Sequence, residues 1–161
     1  MNYLKISSFN EEVYQSAFKN IPRRLTPSKV PEKYIRWLKQ AHKKWVKQTS
    51  IYHNFDVVFV GGVSKYLGHY VIGTYQQPFI LLYIDTIEDD AYVDTLEATF
   101  KIVVYHELAH AMCQYHRKLN FRTVHPSKEE KFVEMFSRRM HYNHPLQKEA
   151  YQMIYAIQSQ K

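Results

Sequence analysis

The period of apolar and polar positions changes several times along the chain, and each change marks an element. From Pro31 to about Gln48, Ile35, Leu38, Ala41 (or His42) and Trp45 recur at three- and four-residue steps, the spacing of one helix face. Lys39, Lys43, Lys44 and Lys47 fall mostly elsewhere on the wheel, so the segment reads as a basic amphipathic helix. Three strand-like runs follow. Asp56 to Val60 stops at the turn signal Gly61-Gly62, His69 to Thr74 carries β-branched and aromatic residues, and Phe79 to Ile84 is a nearly continuous apolar run. Asp89 and Asp90 then precede a long helical segment, Ala91 to Tyr115, because acidic residues suit a helix start. Its buried stripe is Leu96, Phe100, Val103 (or Val104) and Leu108 (or Ala111). Pro126 and Ser127 open a second helix to about Met140, His144-Pro145 break it, and a last helix covers Leu146 to Gln158. Residues 1–30 are mixed, with a short helix expected around Glu11 to Phe18 and with Pro22, Pro27 and Pro31 as punctuation.

This order predicts an α+β fold: a three- to four-stranded sheet packed on the long helix, followed by further helices. The 161 residues suit a single domain. Its parts are an N-terminal helical segment over 1–50, a core over 51–140 and a C-terminal helix over 145–158. No internal repeat or low-complexity segment interrupts it.

Composition adds three limits. One cysteine, Cys113, rules out an internal disulfide and fits a reducing compartment. The first residues lack an apolar run of signal-peptide length, and no stretch approaches about 18 consecutive apolar residues. The expectation is a cytoplasmic protein without a membrane span. The net charge of +7, from 22 basic and 15 acidic residues, favours acidic partners, nucleic acid among them. The plainer reading of the lysine-rich helix is a solvated outer face.

The chemistry concentrates in the long helix, at His106-Glu107-Leu108-Ala109-His110. Four helical residues advance about 400°, so the two imidazoles sit about 40° apart and one turn apart along the axis. Rings so placed converge on one metal ion, and neutral imidazole nitrogen is a good zinc ligand. Glu107 adjoins the first ring, where its carboxylate can deprotonate a water without binding the metal. The plain alternative is two histidines packed on an ordinary helix.

A catalytic zinc site needs a third protein ligand, and three residues compete. Glu130 lies twenty residues beyond His110, on a helix that an antiparallel turn brings back. Glu134, four residues on, would hydrogen-bond the far nitrogen of a liganding histidine. The competing role for Glu130 is a capping box, Ser127-Lys128-Glu129-Glu130. His125 is a loop imidazole within reach. His116 has metzincin-like spacing, but Cys113 stands where that pattern requires glycine, and a continuous helix turns His116 about 120° off the ligand face. Cys113 itself reads as a buried, inert thiol. His141, Tyr142 and His144 are candidates for oxyanion stabilisation.

With these residues in place, the sequence resembles the gluzincin metallopeptidases, which pair His-Glu-x-x-His with a glutamate ligand. The His110-to-Glu130 spacing, with Glu134 beyond it, is similar to the thermolysin pattern. The run Glu130 to Ser137 resembles the second-helix signature of ImmA/IrrE-type peptidases and the minigluzincins. The resemblance covers roughly residues 55–140. It implies a small zincin-like domain, His106, His110 and Glu130 as zinc ligands, and Glu107 as general base of a zinc-dependent endopeptidase acting on peptide or protein substrates. It also implies that Phe79 to Ile84 is the sheet edge along which substrate lies. A rival resemblance is to SprT/Spartan-like proteases, which act on DNA-associated proteins and would use His125 as third ligand. A third reading is a non-catalytic, zinc-containing regulatory module that binds through the Pro31–Gln48 helix.

Overall fold

A computed structural model describes residues 4–6, 23–24, 30–61, 68–72, 78–91, 95–120 and 126–159. Its strands are β1 (Leu4–Ile6), β2 (Arg23–Arg24), β3 (Phe55–Gly61), β4 (Gly68–Ile72) and β5 (Pro78–Tyr83). Its helices are α1 (Glu32–Thr49), α2 (Ile84–Asp90), α3 (Leu96–Asn120), α4 (Pro126–His141) and α5 (Lys148–Gln158). The short helix expected around Glu11 to Phe18 lies outside the described residues.

The α+β character holds, but the three- to four-stranded sheet is corrected. Helix makes up most of the described chain. The sheet centres on one parallel pair, β3 and β5, in register from Asp56↔Phe79 to Val60↔Tyr83. Short flanking strands bring it to five, in the order β1-β3-β5-β4, with β2 also paired to β3. Two of those strands come from the first 30 residues, where the sequence pattern predicts none. They span three and two residues, too short for alternation to register, and their pairing with β3 is a long-range contact rather than a local preference.

The topology also relocates the sheet edge. Phe79 to Ile84 supplies β5, which lies between β3 and β4, and Ile84 already begins α2. One end of the sheet is β4, antiparallel to β5 and packed beside α3. The apolar run of β5 reflects burial on both faces. Ile80 and Leu82 join the main core with Val57 and Phe59, whereas Leu81 and Tyr83 pack with Val58 and Val60 on the opposite face.

The start of the long helix shifts as well. Asp89 and Asp90 close α2 instead of opening α3. Buried Ile84 and Ile87 anchor α2, and the Tyr34 hydroxyl donates to Glu88. The cap of α3 is Thr95, whose Oγ1 accepts the Ala98 backbone N–H at 3.1 Å.

Helix α3 is the hub. Phe100, Val104, Leu108, Ala109, Ala111 and Met112 are all buried, more than one face of a surface helix would bury, as expected of a helix enclosed by neighbours. It contacts α1, α2, α4, α5, β4 and β5. Helix α1 docks on it through Tyr34, Leu38, Ala41 and Trp45. The fully buried Trp45 indole satisfies its N–H on the Met112 sulfur at 3.4 Å.

His42, on the same face of α1, packs against the rings of Trp45 and Phe55. Burial pushes its imidazole down to about 4. Between about 4 and the ordinary value near 6.5, the unfolded chain binds the proton and the folded chain does not. Stability is therefore full above about 6.5 and is lost as pH falls towards 4. The expected loss attributable to His42 is about 2 kcal/mol between pH 7.5 and 5. Urea unfolding of wild type and His42→Leu at both pH values checks this, since the other histidines titrate alike in both. An equal acid loss in the two proteins would remove His42 as the cause.

Candidate metal centre

Two helices build the site. Helix α3 carries His106, Glu107 and His110, and its neighbour α4 returns so that Glu129 and Glu130, in its first turns, face them. The His106 and His110 rings lie 4.9 Å apart, centroid to centroid. Glu130 bridges them: its Oε1 is 2.9 Å from His106 Nε2 and its Oε2 is 3.4 Å from His110 Nε2. One ligand atom from each of His106, His110 and Glu130 falls within 4.8 Å of the other two, and this group could hold a metal ion.

The donor set suits a divalent cation of borderline softness. Two imidazoles and one carboxylate match the three-ligand sets of open zinc sites. Both rings are partly buried, whereas Glu130 is 55% exposed, so the site opens towards solvent on the Glu130 side. Burial holds His106 below the ordinary imidazole range, and nearby His110 acts in the same direction, against the pull of Glu130 and Glu134. The neutral ring that results is the form that binds metal.

His110 is aimed by a residue that the sequence reading passed over. Its Nδ1 lies 2.8 Å from Glu129 Oε2, which leaves Nε2 as the nitrogen turned to Glu130. Glu129 is only 15% exposed, so its carboxylate is held against the ring. The outer role was expected of Glu134. That residue is exposed and acts on His106 only through its charge. The missed signal was two consecutive glutamates at the start of a helix, where one position cannot face the same way as the next. Helix α4 begins at Pro126, so Ser127 lies inside the first turn, and the Glu130 carboxylate is directed to the histidines.

The other candidates separate clearly. His116 lies on an unbroken α3, which continues to Asn120, and is not in the metal-capable group. His125 lies outside the described residues. Cys113 is buried and forms no disulfide. His141 is eleven residues along α4 from Glu130, a rise of about 16 Å. There its backbone carbonyl accepts from Lys44 Nζ, and neither His141 nor His144 belongs to the metal-capable group found among the described residues. Glu107 is buried, 3% exposed, in the same turn as His106.

No protein family, no curated protein and no solved structure matches the chain. No described helix is long and apolar enough to cross a membrane.

Proposed function

We propose that the chain is a zinc-dependent endopeptidase of the gluzincin type, with His106, His110 and Glu130 as metal ligands and Glu107 as general base. The observation that carries this reading is the convergence of those three ligands, from two helices and across twenty residues of sequence, within 4.8 Å of one another. Zinc bound there supplies Lewis acidity, lowering the pKa of a coordinated water towards about 7 and polarising a carbonyl. The chain's own residues do the rest. Glu129 holds His110 in the tautomer that presents Nε2. The Glu107 carboxylate takes a proton from the attacking water and delivers it to the departing amine nitrogen. Among the described residues β4 has a single strand neighbour, and its outer backbone groups are suited to pairing with an extended peptide beside α3.

Metal dependence is the test. Protein supplied with zinc should retain one equivalent through gel filtration and cut an unfolded protein substrate. A chelator should stop cleavage, and added zinc should restore it. Zinc retained without cleavage of any substrate would sink the peptidase reading and leave a structural metal site.

A further inference from the structure

Helix α1 divides sharply around its axis. Tyr34, Leu38, Ala41, His42, Trp45 and Thr49 are buried. Opposite them, Lys33, Arg36, Lys39, Lys43 and Lys47 are all exposed. At about 100° per residue these five cations occupy a stripe about 120° wide and about 21 Å long. None of them forms an ion pair among the described residues. The one acid of the helix, Glu32, sits at its first turn. Lys44, by contrast, is turned inward, donating to the His141 carbonyl at 3.3 Å, and burial lowers its pKa.

We propose that the outward face of α1 binds the phosphate backbone of double-stranded nucleic acid. Charge complementarity supplies the attraction: a cationic stripe with no ion pair among the described residues meets phosphates at about 3.4 Å intervals along each strand. The composition of the face selects among polyanions. A helix that binds an anionic bilayer buries an apolar face in it, but the apolar face of α1 is committed to the core. Single strands are held largely by aromatic stacking. The one tryptophan near the stripe, Trp37, is partly buried and packs with Tyr34 and Phe100. A smooth row of cations without apolar or aromatic anchors suits the outside of a duplex, without reading bases. This surface does not depend on the metal site, so either proposal can fail alone.

The test is fluorescence anisotropy with a labelled DNA duplex of about 20 base pairs, titrated with salt from about 50 mM. Wild type should bind, with affinity falling steeply as salt rises. The quadruple variant Arg36→Gln, Lys39→Gln, Lys43→Gln, Lys47→Gln should lose about 3 to 4 from the log–log salt slope, at about 0.9 per phosphate contact. A control with the same charge change, Lys128→Gln, Lys131→Gln, Arg138→Gln, Lys148→Gln, alters exposed cations outside α1 and should keep the wild-type slope. If the quadruple variant does not fold, Lys43→Gln alone should lower the slope by about 0.9. Absence of duplex binding at low salt, or an equal loss in both quadruple variants, overturns the proposal. Binding to phosphatidylserine–phosphatidylcholine vesicles without binding to the duplex overturns it too.

Discussion

Glu107→Gln is expected to lower peptide turnover by about 10²–10⁴-fold, the range for loss of a positioned general base, while zinc binding stays intact. The substitution keeps volume and shape in a buried position, 3% exposed, and removes the carboxylate that accepts the proton. It leaves His106, His110 and Glu130 untouched, so the metal should remain. The measurement is turnover of a quenched peptide beside metal content by mass spectrometry. Full activity in the variant removes Glu107 from the mechanism. Joint loss of zinc and activity would instead make Glu107 part of the metal's support.

A second series should separate the residues that hold the metal from the one that aims a ligand. Glu130→Ala removes the carboxylate that spans His106 and His110, and the remaining two imidazoles are too few for an open three-ligand site. Glu129→Ala leaves all three ligands and removes the partner of His110 Nδ1. Outer partners of this kind are worth about 10–100-fold in metal affinity. Zinc competition with a chromogenic chelator should therefore show a loss of about 10–100-fold for Glu129→Ala and a larger loss for Glu130→Ala. Glu129→Gln should recover part of the affinity, because its amide oxygen can still accept from Nδ1–H. The reverse ranking would exchange the roles of the two glutamates. Unchanged affinity in Glu130→Ala would exclude it as a ligand and return attention to His125.

Each level of structure was open to sequence reasoning to the degree that it is local. The pairing of His106 with His110 follows from helical pitch alone, since residues four apart share a face whatever surrounds them. Helices α1, α4 and α5, and strands β3, β4 and β5, are visible for the same reason: each has its own periodicity or turn signals. The start of α3 lies beyond the expected one because Asp89 and Asp90 end α2 and the capping residue is Thr95. Thr95 satisfies the Ala98 N–H directly, whereas a carboxylate near a helix start gains only from the dipole.

What remained hidden depended on contacts between distant segments. Two- and three-residue strands acquire meaning only when β3 lies beside them. Whether β5 is an edge or a centre depends on where the chain places β4, which no residue of β5 records. The division of labour between Glu129 and Glu130 depends on the rotation of α4 about its own axis against α3, and about 100° separates one carboxylate from the next. The chain by itself thus determined that His106 and His110 share one helix face, with carboxylates within reach along the sequence. The docking of α4 on α3 decided which glutamate meets both imidazoles and which one steers His110, because side-chain packing between helices sets a rotation that composition and spacing leave open.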